Sequence, residues 1–246
     1  MPAAHAVRPD SDSMDTMSPA PDSRNGPRAA APAQAGALEE EAYAALRHAL
    51  LFGGFAPGDR LSIRGVAARL ELSPMPVRAA IRRLVSERAL DTTAAGTAVV
   101  PRLTRAGFEE LTGLRVQLEP HALALAEPRI TPEQLAAVQG HLDAFAAAKA
   151  AGDPAATQRA DTEFLFALFA AAESPLLLSF IESLWLRRGP LFWEARWVLL
   201  SASTLHARHE DILAALREGD GAAAAAALAA DITRTAEVLL EAHPFE

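Results

Sequence analysis

The residues best suited to chemistry in this chain are arginines. "LSPMPVRAAIRRLV", residues 72–85, carries three of them on a short apolar-periodic segment. A guanidinium is a planar fork that grips phosphate or the paired acceptors of guanine. With about 100° per residue on a helix, Val77, Ile81 and Leu84 share one face. Arg78 and Arg82, four apart, share a neighbouring face with Met75 one turn earlier. One side of such a helix is made to bury and the other to present long donors. The plain reading is a solvated basic surface. Charge distribution argues against it: Arg60 to Arg88 holds seven arginines against Glu71 and Glu87, whereas Leu103 to the end holds 11 basic and 20 acidic residues. The whole chain is at -8, which excludes a protein coated for non-specific nucleic-acid binding and makes the local basic segment the informative feature.

The acidic remainder has its own candidates. Arg115 is a fork within an otherwise apolar helical pattern, suited to a ligand carboxylate or to an ion pair with Glu119, four residues on. Arg187, Arg188, Trp193, Arg196 and Trp197 crowd one region, a composition that suits an anion pocket, a dimer interface or a plug at a bundle end. Catalytic signatures are missing. There is no G-x-x-x-x-G-K-[ST] loop, no G-x-S-x-G elbow and no cysteine. His209-Glu210 begins an H-E-x-x-H pattern, but Leu213 stands in the second histidine's place; His206 and His209, three apart, are a spacing that chance often produces. These features predict no enzyme.

The elements that must position these groups follow from periodicity and punctuation. Residues 1–36, rich in Pro, Ala, Ser and Asp, cannot bury enough apolar surface to offset their ordering and are expected to be a disordered leader. A helix is predicted from about Leu38, with Glu39, Glu40 and Glu41 in its first turn, ending at Gly53-Gly54. "FAPGDRLS" supplies a turn and an extended link. Ser62 caps a short helix through Leu70, and Ser73 caps the arginine helix with Pro74 at its first position. "ALDTTAAGTAVVP" reads as two strands turning at Ala95-Gly96. Helix, short helix, tight connection, helix and hairpin is the order of a winged helix-turn-helix. From Thr104 onward the pattern is helical throughout, opened at Thr104, Thr131-Pro132, Asp153-Pro154 and Ser174-Pro175, with two last helices over 204–218 and 221–242. The predicted fold is mainly α: an N-terminal winged helix-turn-helix, 37–102, and a C-terminal antiparallel all-α helical bundle, 103–246.

The span 38–101 resembles the DNA-binding domain of the GntR family of bacterial transcription regulators, through "LRHALLFGGFAPGDRLS", "VAARLELSPMPVRAAIRRLVSERAL" and "GTAVVP". The resemblance implies DNA contacts from Arg64 and Arg78, with Gly96 at the wing tip; Ser73, Met75, Arg82 and Thr97 complete the candidate DNA-binding set. Pro74 and Ala95 replace arginines that the family often has. The bundle resembles the FCD (FadR C-terminal domain) class, through "LTGLRVQLEPHALALA", "ADTEFLFALFAAAESPLL" and "HARHEDILAALREGDGAAAAAALAADI". That class implies dimerisation, a small organic-acid effector and often a divalent metal held by one aspartate and three histidines. Here Asp161 and His209 match, while Leu165 and Asp231 replace two histidines. Leucine has no lone pair, so a site for Zn, Ni or Mn would be a degenerate trio of Asp161, His209 and Asp231. The favoured alternative is metal-free: Asp161 and His209 as a satisfied buried pair, Asp231 on a helix surface. The effector set is Arg115, Asp161, His209, Asp231, Trp193 and Arg196. The expectation is a cytoplasmic dimeric regulator, most often a repressor in the resembled family, on a palindromic operator. The alternative is a helical small-molecule-binding protein whose N-terminal domain mediates protein contacts.

Overall fold

A computed structural model describes residues 32–201 and 208–245. The first helix, α1 (Pro32–Leu51), starts some six residues before the expected Leu38, inside the span read as leader. Its early residues, Ala and Gln after an opening proline, are good helix formers, and a proline at the first position costs no hydrogen bond. The glutamates at 39–41 therefore lie beyond the first turn, away from the helix dipole's end.

Next come β1 (Arg60–Leu61), α2 (Ile63–Leu70), α3 (Pro74–Ser86), β2 (Asp91–Thr92) and β3 (Ala98–Val99). Ser62 Oγ accepts from the Gly65 N–H, capping α2. Glu71, in the left-handed region at φ 56°, turns the chain towards α3. Ser73 has the backbone of a cap, but its side chain makes no capping bond, contrary to expectation. Pro76 removes the N–H of the third helical position, one of the two that a capping hydroxyl can accept from. β2 and β3 form the expected hairpin, tightened by Gly96 at φ 79° and by the Gly96 N–H donating to the Thr93 carbonyl. The link before α2 contributes an unexpected third strand. β1 pairs antiparallel with β3, Arg60 opposite Val99, and tethers the wing to the body of the domain.

The bundle comprises α4 (Arg105–Ala126), α5 (Pro132–Ala150), α6 (Pro154–Ala170), α7 (Pro175–Glu194), α8 (Arg196–Ser201), α9 (Arg208–Arg217) and α10 (Gly221–Ala242). Of the expected opening residues, Thr104 Oγ1 accepts from Gly107 N–H, Thr131 and Gln134 form a reciprocal capping box and Asp153 caps α6, whereas Ser174 precedes α7 without a side-chain capping bond. Asp220, which the sequence marks only as part of a break, caps α10. The predicted start of the next-to-last helix at Thr204, and His206, fall outside the described residues. Residues including Leu123, Phe164, Leu168, Trp185, Ile212 and Leu228 build the bundle's core.

Helix α7 belongs to both halves. Leu186 is buried in the N-terminal core with Leu46, Leu50, Val77 and Leu84, while Trp185 is buried in the bundle. α7 lies so close to α1 that a Cβ on Gly189 would come 2.5 Å from the Leu50 carbonyl oxygen. Arg47 pairs with Glu182 at 3.1 Å, and Gln158 Nε2 donates to the Leu51 carbonyl at 2.7 Å. The two domains are thus joined by packing and hydrogen bonds, beyond the chain that links them.

Candidate nucleic-acid interface and bundle cavity

Helix α3 divides as its sequence demands. Val77, Ala80, Ile81 and Leu84 are buried against α1 and α2, whereas Ser73, Met75, Arg78 and Arg82 are exposed, Met75 at 72%. Arg64 projects from α2 into solvent. Beside α3 the wing closes a groove of about 520 Å³ whose walls include Arg78, Arg82, Thr92, Gly96 and Thr97. Six of the seven expected contact residues thus lie along α3 and the wing, and Arg64 extends the surface from α2. Arg83 is different. It pairs with Glu40 at 2.8 Å and Glu87 at 3.0 Å and lies 3.6 Å from the Tyr43 ring centroid, pinning α3 to α1. Among the described residues Arg64, Arg78 and Arg82 have no carboxylate partner, so their charge is available to an outside anion. The Ser73 hydroxyl, making no capping bond, adds a neutral donor at the helix start.

The bundle interior holds an unusual concentration of charge. Arg115, 5% exposed, is gripped by Glu119 through two bonds, Nε–Oε1 at 2.6 Å and Nη2–Oε2 at 3.1 Å. Trp185 Nε1 donates to the same Glu119 at 2.8 Å. Of the two readings of Arg115, which do not exclude each other, the ion pair is formed, through Nε and Nη2. Asp161 Oδ1, partly exposed, lies 3.3 Å from the Nε2 of the buried His209. Asp231 is buried, 7% exposed, so it is no surface carboxylate.

These three residues do not make the metal trio. Among the described residues no group of three or more His, Cys, Asp or Glu side chains is placed to hold an ion. Leu165, where the resembled class has a histidine, supplies no lone pair. The donor set does not fit the ion. Asp161 instead lines a small cavity of about 40 Å³ with Thr157, Gln158, Phe192, Arg196 and Thr235. Arg196 is therefore at the cavity as expected. Trp193 is not: it packs under Gly53, whose φ of 85° keeps the chain clear of the indole, and Arg196 lies 4.7 Å from its ring centroid. Its role is at the domain junction.

Sequence reasoning left Arg188 among a crowd of residues without a role. It is 3% exposed, with Trp185 and Phe192 ring centroids 3.6 and 3.9 Å from its guanidinium carbon. Burial, with the neighbouring Arg115 charge adding to it, pushes it down to about 9 against the attraction of Asp161 and Glu119. The signal that could have found it is its helical spacing: Trp185, Arg188 and Phe192 recur at three and four residues on α7.

A winged helix-turn-helix with an open basic helix, joined to a helical bundle with an internal cavity, defines a DNA-binding regulator of ligand-sensing architecture. Comparison with known proteins agrees. Residues 38–99 match the family of bacterial regulatory proteins, gntR family, and residues 110–234 match the FCD domain. The chain belongs to the GntR family of transcription regulators, in its FCD class. It is 36% identical over 145 residues to the HTH-type transcriptional regulator McbR of Escherichia coli (strain K12), a match spanning 59% of this chain and 66%, just under two thirds, of that relative. It is 30% identical over 190 residues to the Nta operon transcriptional regulator of Aminobacter aminovorans, covering 76% and 87% of the two chains. The solved structure of E. coli McbR/YncC superposes with a TM-score of 0.76 at 30% identity, over 84% of this chain and 99% of that one. A putative GntR regulator from Rhodococcus sp. RHA1 gives 0.63 at 26% identity, over 85% and 100%. The relatives are regulators, not enzymes, in keeping with the missing catalytic motifs. No helix among the described residues is long and apolar enough to cross a membrane.

Proposed function

We propose that the protein is a repressor that acts in the cytoplasm, binds a palindromic operator as a homodimer and releases it when a small organic acid enters the bundle. The observation that carries the DNA reading is the exposed face of α3, where Arg78 and Arg82 stand without carboxylate partners beside the wing groove. A two-fold dimer sets two such helices in successive major grooves, which calls for half-sites about 34–36 Å apart. Leu114, Leu176 and Phe180 support the dimer. They are 46%, 70% and 55% exposed on α4 and α7, large apolar side chains that a second copy would cover.

The effector enters the cavity beside Asp161. At about 40 Å³ it admits only a few waters, since one water needs roughly 10–15 Å³. Occupation by an organic acid must therefore widen it and shift the helices that form its wall. α7 contributes Phe192 to that wall and also reaches the wing, so the widening is felt at the DNA-binding domain. The ligand lowers DNA affinity to the extent that it prefers the widened arrangement.

A gel-shift titration with the DNA upstream of the protein's own gene tests the operator reading. Expected is a specific complex at least ~10³-fold tighter than with random DNA. Equal affinity for the two DNAs would refute it.

A further inference from the structure

Arg188 is a cation buried in the bundle with no anion bonded to it among the described residues. Its Nε is buried and finds no hydrogen-bond partner there, and its side chain forms no ion pair with a described carboxylate. The aromatic slot made by Trp185 and Phe192 offsets part of the desolvation, since ring faces attract a guanidinium. It does not satisfy the N–H. A buried donor left unmade and a buried charge left without a bonded partner both raise the energy of the fold, and an apolar side chain in the slot would avoid both. Arg115, one helix away, shows the contrast: two hydrogen bonds to Glu119 pair its charge.

Arg188 is also next to the cavity. Phe192 touches its guanidinium and lines the cavity, and Asp161, another cavity residue, is among the charges that Arg188 feels. We propose that Arg188, not Arg115, anchors the anionic group of the bundle's ligand, and that the ligand is a carboxylate with an apolar body. The proposal rests on reading the bundle as an effector domain and deepens it. The anionic head follows from the balance around the site. Arg115 is already paired with Glu119, while Lys149 and Arg196 line the cavity with Asp161, so cations outnumber the carboxylate at the wall and an anionic head is accommodated there. The apolar body follows from Phe192, Leu199 and Leu200, which face the same space.

The test uses the full chain as wild type, Arg188→Met and Arg188→Lys. Thermal unfolding is followed in buffer alone and with sodium butyrate, sodium benzoate or sodium succinate, sodium chloride matching the ionic strength. Butyrate or benzoate should raise the wild-type melting temperature by a few degrees and succinate by less, as binding to the folded state requires. Arg188→Met should melt at or above wild type in buffer and lose the carboxylate response. Arg188→Lys, which keeps a charge but not the fork, should respond weakly. Three outcomes overturn the proposal: Arg188→Met melting well below wild type in buffer, which makes the arginine a structural plug; a carboxylate response in Arg188→Met equal to wild type; or no wild-type response to butyrate and benzoate. Operator binding measured on the same samples keeps the readings apart, because failure to bind DNA would refute the regulator and leave the melting result standing.

Discussion

Arg187 and Asp91 form a paired-fork contact between the bundle and the wing, Nη1–Oδ1 at 2.8 Å and Nη2–Oδ2 at 3.3 Å. Arg187 Nη1 also donates to the Arg88 carbonyl at 3.0 Å, and Ser183, one helical turn earlier on α7, donates to the Glu87 carbonyl. The next residue, Arg188, about 100° further round the helix, is buried in the bundle interior. Consecutive residues on one helix therefore touch the wing and the charged core. A double-mutant cycle of Arg187→Ala and Asp91→Ala, read by urea unfolding, should give a coupling of about 1 kcal/mol, at the upper end for a half-exposed pair. The same substitutions should weaken the effect of any ligand on DNA binding. A coupling indistinguishable from zero would mean that the contact does not hold the domains together.

The arginines of α3 should separate into two kinds. Arg78→Ala is expected to weaken operator binding by about 1–3 kcal/mol if it reads a base, or to lower the salt slope by roughly one unit if it holds a phosphate. Arg82→Ala should act in the same sense. Arg83→Ala should instead lower stability, because it breaks the bonds to Glu40 and Glu87 and the contact with Tyr43. Gel shifts at several salt concentrations, with thermal melts of each variant, resolve the two kinds.

Gly189→Ala should destabilise the protein by about 1–3 kcal/mol, the cost of overpacking. The added methyl would meet backbone on α1, the Leu50 oxygen at 2.5 Å and Leu51 Cα at 3.1 Å, and backbone cannot swing aside as a flexible side chain can. Chemical denaturation measures the loss. A neutral outcome would show that α1 and α7 can separate freely.

The chain has a single tyrosine, so its ionisation can be followed without ambiguity by the absorbance of the phenolate. Tyr43 is pushed up to about 12, chiefly by burial and then by its hydrogen bond to Glu87, Oη–Oε2 at 2.6 Å. The proton is held more tightly in the folded state than in the unfolded one. Its stabilisation is thus fully present below the ordinary tyrosine value near ~10 and is lost as pH rises towards about 12. Tyr43→Phe should remove that alkaline slope. Titration of the folded protein at the ordinary tyrosine value would contradict the contact.

Much of this was open to sequence reading, for reasons that are local. Apolar spacing at three and four residues defines Val77, Ile81 and Leu84 as an inward face, and that alone turns Met75, Arg78 and Arg82 outward. Prolines and hydroxyl or carboxylate caps mark the starts of α4, α5, α6 and α10 with almost no displacement. Where local rules compete, the reading slipped. Ser73 looked like a capping residue, but Pro76 removes one of the two N–H groups that its hydroxyl could accept from.

What the tertiary structure alone decided are relations between distant segments. Arg115 and Arg188 are the same residue type on neighbouring helices, yet one meets Glu119 and Trp185's shared acceptor while the other is left between two rings. Likewise Arg83 turns to Glu40, 43 residues away, Trp193 fits under Gly53, and β1 finds β3. Periodicity can say which side of a helix is covered, because that depends on spacing along one element. It cannot say by what, because a buried charge is settled by whichever groups the packing of other elements brings within bonding distance.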